Sequence, residues 1–319
     1  MSQASTPAER ALEYDEFAFL ETYARHEGLP WNGRPAVHRE WAQAGDIRLS
    51  GLVWGNGSPE LIFLHGGGQN AHTWDSVAMA LNRPLLAIDL PGHGHSDWRA
   101  DADYHPARSA ATIGEWLVQL PPQPRVLVGM SMGGLTSIAL AASGVTELTH
   151  LVIVDITPGV ARRDRAPEQR PEGVVRLIQG QRTFDTFDEM LQATAALAPN
   201  RPVDSLRPGV LHNSRQLADG RWSWRYDQAG MAGPRPPRAG VSEESPMEQL
   251  WEDLSRIPVP VMLVRGGDSK VVSDEDQAEF ERRKPGTRME TVPGAGHSVQ
   301  SDRATRLAEL ITDFTGSAG

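Results

Sequence analysis

One serine is enclosed by glycines in Gly129-Met130-Ser131-Met132-Gly133-Gly134, after the apolar run Val126-Leu127-Val128 and before an Ala/Leu-rich stretch. This is G-x-S-x-G between a strand and a helix, the setting in which a tight turn lifts one hydroxyl out of the end of a sheet. Small residues at 129 and 133 let strand and helix approach closely. The helix N-terminus behind the serine favours developing negative charge. The expected chemistry is nucleophilic attack by Ser131; the bland alternative is a glycine-rich turn with an idle hydroxyl. A serine hydroxyl needs a base to take its proton. Of the ten histidines, His297 is the late one in a Gly-rich turn after a strand, Pro293-Gly294-Ala295-Gly296-His297-Ser298. It is the candidate base, its ordinary alternative being a surface-loop histidine.

The base in turn needs a carboxylate to hold its tautomer and orientation. Asp268 is the favoured acid, reached from the apolar run Val261 to Val264 through Arg265-Gly266-Gly267. The order Ser131, Asp268, His297 is the one that accompanies this serine motif. Asp155, directly after Leu151 to Val154, is the alternative acid and otherwise reads as a capping or cap-anchoring residue. Asp274 reads as a helix opener. An oxyanion needs two backbone donors. The Met132 amide is one candidate. The turn His65-Gly66-Gly67-Gly68 supplies the other, Gly67 first and Gly68 second. His65, Trp222 and Trp224 are the candidate substrate-pocket residues.

Two competing patterns are weaker. Gly66-x-Gly68-x-x-Ala71 with Asp89 further on imitates a dinucleotide fingerprint, but it leaves Ser131, Asp268 and His297 unexplained. It is also preceded by two extra strands. His65, His93, His95 and His297 imitate a metal cluster, yet no H-E-x-x-H helix is present and no cysteine assists. No cofactor and no metal are therefore expected. Trp222, Trp224 and Tyr226 alternate with polar residues; stacking on nucleic acid needs a basic surround, so packing is the ordinary explanation.

The 319 residues carry 31 Lys+Arg and 41 Asp+Glu, a net charge of −10, which argues against nucleic-acid partners. With no cysteine, disulfides, thiolate zinc sites, iron–sulfur clusters and cysteine nucleophiles are all excluded. The opening MSQASTPAERALEYDEF lacks a basic and an apolar region, so no signal peptide is expected and a cytoplasmic location is read. The longest apolar runs, such as Val259 to Val264, fall far short of the ~20 residues of a bilayer span.

These groups must be positioned by an alternation of strand, Gly-rich turn and amphipathic helix. Strands are expected at Val37 to Ala42, Ile47 to Trp54, Leu61 to Leu64, Leu85 to Ile88, Val126 to Val128, Leu151 to Val154, Val261 to Val264 and Met289 to Val292. Helices are expected near Trp74 to Leu81 and at Arg108 to Leu120, Met132 to Ser143, Asp274 to Lys284 and Asp302 to Phe314. Apolar strands with little alternation imply a mostly parallel α/β sheet with helices on both faces. Residues 1–35 read as an N-terminal helical extension opened at Thr6-Pro7-Ala8-Glu9 and stopped at Gly28 and Pro30. Residues 36–157 and 251–319 read as the core. Residues 158–250, richer in Arg, Pro, Gln and Asp, read as an insertion with short helices at Gly173 to Gln179 and Phe187 to Leu197 and a return loop at Met231 to Pro246.

The pieces Leu64-His65-Gly66-Gly67-Gly68, Asp89-Leu90-Pro91-Gly92-His93-Gly94-His95-Ser96, Gly129 to Gly134, Arg265-Gly266-Gly267-Asp268 and Gly296-His297 together resemble the α/β-hydrolase superfamily. The resemblance is to its cap-bearing branch of esterases, C–C bond hydrolases, enol-lactonases and haloperoxidase-like perhydrolases. It implies an eight-stranded sheet with a cap inserted after the sixth strand. It also implies a serine hydrolase acting through an acyl-enzyme on a small apolar ester or lactone. A serine at 131 departs from the aspartate nucleophile of dehalogenase and epoxide-hydrolase relatives and argues against those reactions. The alternatives are C–C cleavage on the same triad and a non-enzymatic ligand receptor on the same scaffold.

Overall fold

The computed structural model describes residues 14–161, 180–197, 201–232 and 246–316. The helix start expected at Thr6 to Glu9, the helix expected at Gly173 to Gln179 and most of the return loop expected at Met231 to Pro246 lie outside these residues. In chain order the strands are β1 (Val37–Ala44), β2 (Ile47–Trp54), β3 (Leu61–Leu64), β4 (Leu85–Asp89), β5 (Arg125–Met130), β6 (Leu148–Val154), β7 (Thr183–Phe184), β8 (Ser214–Gln216), β9 (Trp222–Trp224), β10 (Val261–Gly266) and β11 (Arg288–Val292). Eight of them form one sheet in the order β1-β2-β4-β3-β5-β6-β10-β11. The β1–β2 and β2–β4 pairs are antiparallel and the remaining neighbours are parallel.

Strand side chains alternate between the two sheet faces, and both faces here are covered. Leu61 and Phe63 of β3 enter one apolar cluster, while Ile62 and Leu64 enter the other. The first cluster is closed by α1 (Leu20–His26), α2 (Asp75–Leu81) and the helix Ala304–Gly316. The second is closed by α3 (Pro106–Leu117), α4 (Met132–Ser143), and the helices Pro246–Arg256 and Asp274–Arg283. Each fully buried leucine or isoleucine contributes about 1.5–3 kcal/mol, and this is why the strands read as unbroken apolar runs. Helix α3 starts two residues before the expected Arg108, because Pro106 fits the first turn and the His105 imidazole accepts the Ala107 N–H at 3.3 Å. The last helix starts at Ala304 rather than Asp302, since Arg303 at φ −147° interrupts it after the short turn Val299–Asp302.

Between β6 and β10 the chain forms a cap. A small sheet in the order β7-β9-β8 packs with the helices Phe187–Leu197 and Val203–His212 around Phe184, Met190, Leu191, Leu206, Val210, Trp224 and Tyr226. The expected helix at Phe187 to Leu197 is present; the sheet was not anticipated. Its strands are two or three residues long, too short for a period of two to register. No helix of the described residues is long and apolar enough to cross a membrane.

Candidate active site

Ser131 sits at φ +51°, ψ −120°, between the end of β5 and the start of α4. That left-handed strain is tolerated because the turn is held on both sides. The Ser131 N–H donates to Val154 O at 3.1 Å, and the Ser131 carbonyl accepts the Leu135 N–H at 3.1 Å. Two close approaches admit no side chain: where β5 crosses α4, a Cβ on Gly129 would lie 2.4 Å from Gly133 O, and where α4 meets the end of β3, one on Gly133 would lie 2.2 Å from Leu64 O. The hydroxyl therefore emerges at the C-terminal edge of the sheet. There Ser131 Oγ lies 3.1 Å from His297 Nε2.

The carboxylate on His297 is Asp155, not Asp268. His297 Nδ1–H donates to Asp155 Oδ2 at 2.7 Å, which leaves Nε2 as the acceptor facing Ser131. Asp155 is fully buried at φ +50°. Two further donors hold it: the Gly266 N–H on Oδ1 at 2.9 Å and the Ser269 hydroxyl on Oδ2 at 2.5 Å. Asp268 lies past this point on an exposed turn, its N–H bound to Ala295 O at 2.9 Å, and no hydrogen bond joins its carboxylate to His297. The physical reason for the correction is donor supply. The loop that carries Asp268 uses Gly266 and Ser269 to secure the aspartate of the neighbouring strand. Asp274 opens its helix as expected, exposed and paired with Arg265 at 2.5 Å.

The turn after β3 lies against the serine, a Cβ on Gly66 falling 3.2 Å from Ser131 Cβ. Its polar groups are almost all committed. Gly66 N–H donates to Gln69 Oε1 at 3.1 Å, Gly66 O accepts from His65 Nδ1 at 2.8 Å, and Gly68 N–H donates to His93 Nε2 at 3.1 Å. Gly68 is thus removed from the oxyanion candidates. Burial pushes the His93 imidazole down to about 3, helped by His65, so it stays neutral and able to accept. Among the described residues, neither the Gly67 nor the Met132 amide has an acceptor in the chain, so both remain candidate oxyanion donors.

Two of the pocket expectations, His65 and Trp224, are corrected as well. His65 is fully buried and braces the turn, its Nε2 accepting the Leu90 N–H at 2.9 Å, so it has no surface to offer a substrate. Trp224 is buried in the cap, its Nε1–H on Gln181 O at 3.1 Å and its ring stacked on Tyr226. Trp222 packs edge-on against Phe187 with ring centres 5.1 Å apart. Trp224 belongs to the cap's own core, and the half-buried Trp222 packs against it. The dinucleotide imitation also fails on geometry: Asp89 is fully buried and accepts the Ala71 N–H at 2.7 Å and Arg39 at 2.8 Å, so it cannot meet a ribose. Residues that sequence reading missed are Asn213, Gln69 and Ser269. Only Ser269, one position after the favoured acid, left a trace.

The comparisons fit this geometry. Residues 61–310 match the Alpha/beta hydrolase family. The chain belongs to that family. This α/β hydrolase is 45% identical over 298 residues to the esterase Rv0045c of Mycobacterium tuberculosis, across 93% of this chain and 94% of that protein. A solved structure of that esterase, described with its transition metal inhibition, superposes with a TM-score of 0.80 at 44% identity, covering 96% of this chain and all of the other. The hydrolase is also 29% identical over 273 residues to the sn-1-specific diacylglycerol lipase ABHD11 of Mus musculus, across 80% of each.

Beside the active site the hydrolase holds a buried cluster of charge. Glu16, from the segment before α1, pairs with Arg39 at 2.6 Å and with His72 at 3.0 Å; Arg39 also reaches Asp89, and His72 reaches Asp75 at 2.9 Å. Burial opposes the His72 charge, but Asp75 and Glu16 raise it to about 9. Burial also opposes the Glu16 charge, yet hydrogen bonds from His72 and Arg39 hold it well below the usual carboxylate range. His72, Asp75 and His212 bring ligand-type atoms within 4.8 Å of one another. They do not form a metal centre as arranged. The two imidazoles are stacked 3.9 Å apart at 13°, so their lone pairs run side by side rather than converging, and both His72 nitrogens face carboxylates.

Proposed function

We propose that this hydrolase is a serine esterase cleaving small carboxylic esters or lactones, with Ser131 as nucleophile, His297 as general base and Asp155 as the acid that orients it. The observation that carries the reading is the unbroken relay of 3.1 Å and 2.7 Å from Ser131 Oγ through His297 to a buried carboxylate. Esterase activity in a relative of 45% identity supports the substrate class.

Ser131 gives its proton to His297 Nε2 as Oγ bonds to the acyl carbon. The carbonyl electron pair moves onto oxygen, where the Gly67 and Met132 amides receive it. Asp155 stabilises the imidazolium through Nδ1. Collapse expels the alkoxide, which takes the proton from Nε2. Water then enters, loses a proton to the same nitrogen as its oxygen bonds to the acyl carbon, and the C–Oγ bond breaks as Ser131 Oγ takes that proton back, releasing the acid. Every step is carried by this chain and water. A cytoplasmic location is part of the proposal and is supported by a cysteine-free composition suited to a reducing compartment.

The test is a fluorophosphonate label located by mass spectrometry, with turnover measured on p-nitrophenyl esters of graded chain length. Labelling at Ser131 and loss of turnover in Ser131→Ala are expected. Full turnover in that variant rules the proposal out. Binding without multiple turnovers points to the receptor alternative.

A further inference from the structure

We infer that Asn213, at the end of the cap helix Val203–His212, is a positioning residue that sets the oxyanion turn from outside the core; the inference rests on the esterase reading above. The cap makes a polar contact with this turn through Asn213. Asn213 Nδ2 donates to Gly68 O, and Asn213 Oδ1 accepts from Asn70 Nδ2 at 3.1 Å. The amide orientation is fixed rather than chosen. Asn70 Oδ1 already accepts the His72 N–H at 2.9 Å, so Asn70 must present its NH₂ to Asn213. Asn213 must then present its oxygen to Asn70 and its own NH₂ to Gly68.

Gly68 stands at φ +72°, a conformation with no side chain to stabilise it. It is gripped at both ends, by His93 on its N–H and by Asn213 on its carbonyl. Gly67 precedes it, and its N–H lies in the Gly66–Gly67 peptide, whose carbonyl accepts from His65 Nδ1; with Gly68 held at its N–H and its carbonyl, the rotations at Gly67 that would tilt this peptide and re-aim the N–H are restrained. An oxyanion donor is effective only when aimed in advance at the developing charge. The cap side chain therefore acts on the transition state through the turn without touching substrate. Asn213 is itself held by the Arg225 N–H on its carbonyl at 2.8 Å, so it is braced within the cap.

Three variants test this. Asn213→Asp keeps shape but sets an oxygen against Gly68 O; Asn213→Ser shortens the side chain and carries the test should the aspartate fail to melt cooperatively. Tyr14→Phe is the control. It removes the 3.3 Å contact of Tyr14 with His212 on the same helical turn and leaves Gly68 alone. The expected result for Asn213 variants is a kcat lowered on the order of tenfold with KM nearly unchanged. The affinity for a reversible trifluoromethyl ketone, which forms the oxyanion, should fall by the same factor. Tyr14→Phe should lower only the melting temperature. Unchanged kcat and ketone affinity in the Asn213 variants overturn the inference, as does an equal kcat loss in Tyr14→Phe. Residual turnover in Ser131→Ala instead defeats the esterase reading itself, so the two failures are distinguishable.

Discussion

At the scale of single residues, the site depends on which carboxylate reaches the imidazole. Asp155→Asn keeps the shape but offers an NH₂ where His297 Nδ1–H needs an acceptor, so the ring turns to the wrong tautomer. We expect kcat on p-nitrophenyl esters to fall by about 10³–10⁴. Asp268→Asn, at an exposed turn, should stay within about threefold of the parent under the same assay. Comparable losses in the two variants would return the acid to Asp268. Ser131 and His297 were legible in the sequence because their neighbours encode the backbone: Gly129 is demanded by the close crossing of β5 and α4, and Gly133 by the approach of α4 to the end of β3. The acid was not legible. Both aspartates follow a core strand and both lie between the serine and the histidine. What separates them is the supply of donors from Gly266 and Ser269, a property of two strands packed side by side and not of either segment alone.

Among the elements, the segment before α1 earns its order through charge. Phe17, Leu20 and Ala24 are buried against α2's side of the sheet, while Glu16 reaches inward to Arg39 and His72. The His72 value rises from 6.5 to about 9 on folding, so its contribution is complete below pH 6.5 and is lost as pH climbs through 9. At about 1.4 kcal/mol per pH unit, that window is worth at most roughly 3–4 kcal/mol. Urea denaturation at pH 6, 7.5 and 9.5 should show the decline, and His72→Gln should flatten it; a parallel slope in the variant contradicts the assignment. Glu16 moves the other way. Its lowered value means stability held above the ordinary glutamate range and lost in acid. The core elements were legible because each buries a continuous apolar stripe or run. The small cap sheet was not, because strands this short are specified by pairing partners rather than by their own pattern.

Across the whole molecule, the N-terminal segment, the core and the cap meet at one place. Tyr14 contacts His212, Glu16 pairs with Arg39, and Asn213 follows directly on the cap helix. Glu16→Ala leaves the Arg39 guanidinium buried with half its carboxylates. Glu16 keeps 22% of its side chain in solvent, so about 2 kcal/mol is expected rather than the larger cost of a fully buried pair. A calorimetric melting temperature several degrees lower checks this; an unchanged one places the segment outside the cooperative unit. The relay itself is anchored differently. Ser131 N–H is bonded to Val154 O at 3.1 Å and Asp155 N–H to Val264 O at 2.7 Å, which laces both residues across β5, β6 and β10. The gap between nucleophile and acid is thus a repeat of the β ladder, as durable as the ladder. On warming, phosphonate capture by Ser131 should last nearly until the strands separate, whereas multiple turnover, which also needs the turn that Asn213 grips from the cap, should fade some degrees sooner.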